Sequence, residues 1–282
     1  MQLQLQKAER NQALIKLALQ GPSGSGKTYS SLLLANGIVG NWNQIAVIDT
    51  ENNSSHLYSH LGSYNVLSLS EPFSPDRYIE AIEACEKAGM RVIIIDSISP
   101  EWSGAGGILE VHGGMLGNSF TNWSKLTPKH NAFIQKILQS SCHVIATIRS
   151  KQDYVLTDKN GKMVPEKVGL AGVAREGTDY EFSLVLELDI KHQATASKDR
   201  TGLFSNPLPF LITEQTGSKI KIWCLGEDLI KNVELQINEA QTVQELRNII
   251  IKYPTLRSKI EPLCIQRKSE IEGVVTDPVV NP

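Results

Sequence analysis

Gly21-Pro22-Ser23-Gly24-Ser25-Gly26-Lys27-Thr28 is the stretch on which the fold turns. It fits G-x-x-x-x-G-K-[ST], a loop whose glycines let the main chain curl so that its N–H groups wrap a phosphate at a helix N-terminus. In such a loop Lys27 sets a point charge against the β- and γ-phosphates and the Thr28 hydroxyl ligates Mg²⁺. The ligands implied are ATP and Mg²⁺, with the next residue, Tyr29, counted among the nucleotide contacts. The flanks agree, because residues 13–20 read as a buried apolar strand and residues 28–39 have the apolar spacing of a helix.

Outward from the loop, strands and helices alternate. Residues 44–49 form a β-branched strand, 75–89 a helix opened by Pro75 and closed by Gly89, and 91–96 a further strand. That alternation predicts a parallel sheet with helices on its faces. Asp96 ends the run Val92-Ile93-Ile94-Ile95, so its carboxylate projects toward the metal beside Thr28. Residues 97–127, rich in Gly, Ser and Asn with Trp102 and Trp123 embedded, read as a long functional or mobile excursion. A helix over 128–141 and a strand over 142–148 follow, then a polar excursion over 151–175 with a hairpin turn at Asp158, Lys159, Asn160 and Gly161. Both excursions leave the same end of the sheet. Residues 181–196 read as one long strand, and 220–225 close the sheet in a hairpin with 210–214.

The nucleotide domain thus spans 13–226, after an extension over 1–12. Residues 227–271 predict a small helical region of two or three helices, with Thr242 capping one through Glu245, and 272–282 a disordered tail. The length of 282 residues, 41% hydrophobic content and formal charge of −2 suit one large α/β domain with a modest appendage. Dominant disorder is excluded, and any nucleic-acid contact must come from a local basic patch. Cys85, Cys142, Cys224 and Cys264 lie far apart and read as buried or incidental thiols. The polar N-terminus and the lack of a long apolar run predict a cytoplasmic protein with no membrane partner.

Ser97 follows Asp96 where AAA+ and ABC-type sites usually carry glutamate, which sets those families aside. The strand Ile45-Ala46-Val47-Ile48-Asp49-Thr50-Glu51 instead resembles RecA-family ATPases, whose catalytic glutamate ends the strand after the P-loop helix. The resemblance implies an α/β RecA-like P-loop core with a mostly parallel central sheet and Glu51 as general base. The strand carrying Glu51 is expected next to the P-loop strand or one away, with Asp49 able to exchange roles with Glu51 and Glu101 a weaker substitute. It further implies a γ-phosphate sensor at Thr147 or Arg149. The string Ala196-Ser197-Lys198-Asp199-Arg200-Thr201-Gly202 looks like the K-x-R segment of hexameric helicases and RadA-type ATPases, so Lys198 and Arg200 act on a neighbouring subunit's nucleotide or form a solvated turn.

The similarity covers roughly residues 13–225 and is nearest to phage-type RecA-like proteins linked to single-strand annealing and recombination. It implies self-assembly into a ring or filament, single-stranded DNA as a ligand, and phage or mobile-element protein partners. Trp102, Trp123 and Lys125 in the first excursion and Lys151, Lys159, Lys162, Lys167 and Arg175 in the second are the candidate DNA contacts, or else solvated charge. Two other functions share the same loop: a nucleotide or metabolite kinase with residues 151–175 as a lid, and an ATP-gated switch in a defence or mobile-element complex. His56 and His60, four apart, would share a helix face but lack a third metal ligand.

Overall fold

The computed structural model describes residues 13–159, 162–205 and 208–273. From the first strand, β1 (Lys16–Gly21), the phosphate loop leads into α1 (Lys27–Val39), and β2 (Ile45–Asp49), β3 (Asn65–Ser68), α2 (Pro75–Lys87) and β4 (Val92–Asp96) follow. Three helices come next, α3 (Ser99–Ser103), α4 (Ile108–Gly114) and α5 (Ser119–Gln139), then the long hairpin of β5 (His143–Lys159) and β6 (Lys162–Gly172). The short α6 (Thr178–Glu181) precedes β7 (Leu184–Leu188), β8 (Gln193–Asp199) and β9 (Phe210–Leu211). Helices α7 (Glu214–Glu239), α8 (Val243–Lys252) and α9 (Arg257–Ile271) are the last elements among the described residues.

The sheet order is β3-β2-β4-β5-β1-β7-β8-β9, parallel from β3 through β7, with β8 and β9 added antiparallel and β6 paired only to β5. The central strands are continuous apolar runs because both faces of a parallel sheet are covered. Ala18, Ile48, Ile93, Ile95 and Val144 pack on one face against Tyr78, Ile82, Phe133 and Ile137 of α2 and α5. The alternate residues Leu17, Leu19, Val47 and Ile94 are equally buried and point to the other face, the side of α1. This is the mostly parallel α/β sheet flanked by helices that the sequence predicts. All four cysteines are buried and none forms a disulfide.

Several expectations are corrected. Residues 181–196 are two strands, not one: β7 stops at Leu188 and reverses into β8 through a turn over 189–192. Residues 220–225 belong to helix α7, and it is β9 that pairs with β8. The first excursion is largely helical; α5 begins at Ser119, capped by the Asn118 side chain on the Phe120 N–H at 2.8 Å, and Pro128 lies inside it. Two strands, β4 and β5, separate β2 from β1, so Glu51 is not one strand away. The hairpin of the second excursion is present, although Asn160 and Gly161 at its turn lie outside the described residues, as do residues 1–12 and 274–282. Among the described residues no helix is long and apolar enough to cross a membrane.

The described residues divide into a unit of 14–220 and one of residue 13 with 221–273. In the smaller unit α8 starts with the predicted capping box, Thr242 Oγ1 accepting the Glu245 N–H at 3.2 Å, and Leu246, Ile249, Leu256 and Ile260 pack with Val233 and Ile237. In the larger unit α1 meets the start of α7 at two glycines. A Cβ on Gly37 would stand 2.0 Å from the Glu214 carbonyl oxygen, and one on Gly217 2.3 Å from that of Leu34. Backbone cannot yield as a side-chain tip can, so Gly37→Ala should destabilise the protein by about 3 kcal/mol. Urea unfolding checks this against Gly113→Ala, where an added Cβ meets nothing within 4 Å; equal midpoints would refute the packing argument.

Candidate nucleotide site

The turn from β1 into α1 runs through Gly24 and Gly26 at φ 79° and 86°, left-handed values that a glycine adopts without a Cβ clash. Lys27, buried at the start of α1, donates from Nζ to the carbonyls of Gly21 at 2.9 Å and Pro22 at 2.8 Å. Burial lowers its pKa below the ordinary lysine value, while the Glu51 and Asp96 carboxylates pull it back up. The ammonium therefore stays at the loop mouth with acids on one side and the curled backbone on the other.

Asp96 ends β4 with 1% of its surface exposed. Its Oδ2 accepts the Thr28 hydroxyl at 2.6 Å and its Oδ1 the Thr147 hydroxyl at 2.5 Å. Burial raises its pKa above the usual carboxylate range, against the two hydroxyl donors, and Glu51 and Asp49 push the same way. A buried carboxyl, a hydroxyl and the Glu51 carboxylate at one cavity form an all-oxygen donor set that fits Mg²⁺, with Thr28 and Asp96 as the residues that would hold it.

Glu51 reaches the cavity from the segment after β2. Asp49 shapes that segment: its Oδ1 accepts the Glu51 N–H at 2.7 Å and its Oδ2 the Ser55 N–H at 2.8 Å. Asp49 is 2% exposed and both oxygens face backbone donors, so it does not exchange roles with Glu51. Thr50 ties this segment to the end of β4, taking the Ser97 N–H on Oγ1 at 2.8 Å. The Glu51 carboxylate meets Arg149 Nε at 2.8 Å, with side chains 27% and 50% exposed, open enough for solvent to screen the pair and leave it little stabilising weight.

Glu51, Asp96, Lys27, Thr28, Tyr29, Ser23, Gly24, Gly26 and Arg149 thus line one cavity of about 940 Å³. Gly21, Pro22 and Ser25 form the loop beneath it, and the Ser25 hydroxyl is buried without a partner among the described residues. Of the two sensor candidates, Thr147 is fully buried on Asp96 and Arg149 faces the cavity. Glu101 is corrected: it is 1% exposed, paired with His130 Nδ1 at 3.1 Å, and absent from the cavity lining.

Lys198 and Arg200 lie away from this cavity. β8 runs antiparallel to β7, with Asp199 opposite Leu184, so the pair sits at the end of the sheet where β1 begins. Lys198 Nζ bonds to the Tyr180 carbonyl, and the Asp199 carboxylate organises the turn by accepting the N–H groups of Thr201, Gly202 and Phe204. The pair takes no part in its own chain's cavity. In the first excursion Trp102 and Trp123 stack on each other at 5.8 Å, and His112 covers Trp123 at 4.1 Å, so these ring faces are partly occupied within the protein. Lys125 and Lys151 are exposed, and Arg175 borders a separate cavity with Gln20, Thr178 and Glu187. For Lys159, Lys162 and Lys167 only the backbone pairing is described. His56 and His60 lie on a 3-10 helix, where a spacing of four no longer shares a face. No metal cluster of His, Cys, Asp or Glu occurs among the described residues.

Sequence reasoning missed Ser30 and Leu33 of α1 and Ser150 beside Arg149 in the lining, and with them Tyr58, His192, Leu211, Ile212 and Thr213. Tyr58 stands 6.0 Å from Tyr29 between ring centroids. His192, Leu211, Ile212 and Thr213 arrive through the β7–β8–β9 meander, and no local motif marks them.

Residues 13–209 match the family model described as an AAA domain. A search of the curated proteins gives no match. The family match overturns the expectation that Ser97 sets AAA-type families aside; a carboxylate reaches the cavity from the end of β2, so the residue after Asp96 does not decide the family. With most of its length matched and the phosphate loop, Asp96 and Thr28 converging on one cavity, the chain belongs to the AAA domain family and carries an ATP-binding, P-loop ATPase-type domain.

Proposed function

We propose that this protein hydrolyses ATP as a RecA-like, oligomeric, single-stranded-DNA-dependent ATPase acting in phage or mobile-element recombination, annealing or replication. The observation that carries the hydrolytic reading is Glu51: its backbone is pinned by Asp49, and its carboxylate opens onto the cavity that holds Lys27 and Asp96. From there Glu51 takes the proton of a water whose oxygen attacks the γ-phosphorus in line, while the bond to the ADP oxygen breaks. The loop N–H groups and Lys27 hold the phosphates, and Arg149 faces charge growing on the transferred group. Mg²⁺, which Thr28 and Asp96 would hold, would supply positive charge to neutralise the phosphates. Lys198 and Arg200, remote from their own cavity, suit a role in a neighbouring subunit's site.

The DNA arm is supported by the resemblance to phage-type RecA-like proteins and by the common end of the sheet from which both excursions emerge. Steady-state hydrolysis is measured over a range of protein concentrations with and without single-stranded DNA, with particle size in parallel. Stimulation by DNA and a rate per protein that rises with concentration are expected. Hydrolysis indifferent to both would replace this reading with a switch, and phosphate transfer to a small acceptor would replace it with a kinase.

A further inference from the structure

The turn between β7 and β8 is built to hold one side chain still. His192 has φ 64°, a left-handed value that a non-glycine residue keeps only with support. Asp189 gives that support: its Oδ1 accepts the N–H groups of Lys191 at 2.8 Å and Gln193 at 2.9 Å, and its carbonyl takes the His192 N–H at 3.1 Å. The imidazole is thereby set against the phosphate loop, where a Cβ on Gly26 would stand 3.0 Å from its Nδ1. The ring lines the same cavity as Lys27 and Thr28. No described residue hydrogen-bonds it, so its donor is open to a ligand.

The sheet order says which part of the nucleotide it meets. Glu51, Asp96 and Arg149 come from the ends of β2, β4 and β5, all on one side of β1, and they mark the γ-phosphate end. His192 comes from the other side, next to Leu211 through the Gln193–Leu211 pairing of β8 and β9. The apolar lining there, with Leu211 and Ile212, suits a base and ribose more than a polyphosphate.

We propose that His192 is a nucleotide-recognition residue whose ring N–H donates to the α-phosphate, at the junction between the phosphate loop and the ribose. The proposal rests on the ATP-site reading and extends it to a residue outside the phosphate loop. Because ADP and ATP share the α-phosphate, loss of the ring weakens both alike, by about tenfold for one hydrogen bond to a charged group.

Binding of a fluorescent ADP and of a non-hydrolysable ATP analogue is measured for wild type, His192→Gly, His192→Gln and Lys27→Ala. Glycine adopts the left-handed φ without strain, so His192→Gly removes the ring and keeps the turn. The expected result is a similar tenfold loss for both ligands in His192→Gly, with part of the affinity restored in His192→Gln, whose amide still donates. Unchanged affinity in His192→Gly overturns the proposal, and so does a loss confined to the ATP analogue, which would put the ring at the γ-phosphate. Lys27→Ala separates the two levels: weakened ADP binding there with none in His192→Gly leaves the site standing and removes only His192. Full ADP binding in Lys27→Ala would remove the site reading itself, and His192 with it.

Discussion

In Glu51→Gln, ATP remains bound while hydrolysis falls by about a hundredfold or more. The substitution keeps the side chain's shape and removes only its capacity to take a proton. Its effect on folding is small, because the Arg149 ion pair it breaks is solvent-screened and the backbone contacts to Asp49 are untouched. Single-turnover hydrolysis, ATP affinity and thermal melting are measured together. A rate equal to wild type would remove Glu51 as the base, since no other carboxylate lining the described cavity except Asp96, engaged by Thr28 and Thr147, could replace it.

Lys27→Ala acts one step earlier. Its ammonium donates to two loop carbonyls and is buried at the mouth, where several charge-assisted hydrogen bonds to phosphate oxygens are within its reach. At about 1.5–3 kcal/mol for each such bond, losing two weakens nucleotide binding at least about a hundredfold. Titration with ADP checks this, with melting as the control for folding; affinity within a factor of three of wild type would contradict the loop's assignment. The two variants thus separate binding from chemistry at one site.

The phosphate loop was legible because its glycines and its Lys-Thr pair stand at fixed spacing, and β2 and β4 because each is a short apolar run bounded by turn residues; buried parallel strands need no alternation to declare themselves. The turn between β7 and β8 hid because Asp189-Ile190-Lys191-His192 contains no glycine, proline or asparagine; its left-handed position is filled by His192 under the control of a carboxylate. Residues 220–225 of helix α7 read as a strand because Ile220 and Ile222 flank Lys221 in a stretch too short to tell the two periods apart, and Gly217 in the preceding turn is a residue that a helix interior disfavours. That glycine is there for the close approach of α1, a tertiary requirement that no local pattern reveals. The same holds for the cavity: the carboxylates at strand ends could be read in order along the chain, whereas Tyr58, His192 and Leu211 meet only through the sheet's strand order.

Arg149 joins more than its ion pair with Glu51. Its N–H is held by the Ser99 hydroxyl at 2.9 Å, where the first excursion begins, and its carbonyl accepts the Val173 N–H at 2.6 Å, where the second ends. One residue therefore touches the nucleotide cavity and both excursions. Any molecule that shifts this shared residue on binding to either excursion alters nucleotide affinity by some factor, and by thermodynamic linkage the nucleotide must alter that molecule's affinity by the same factor.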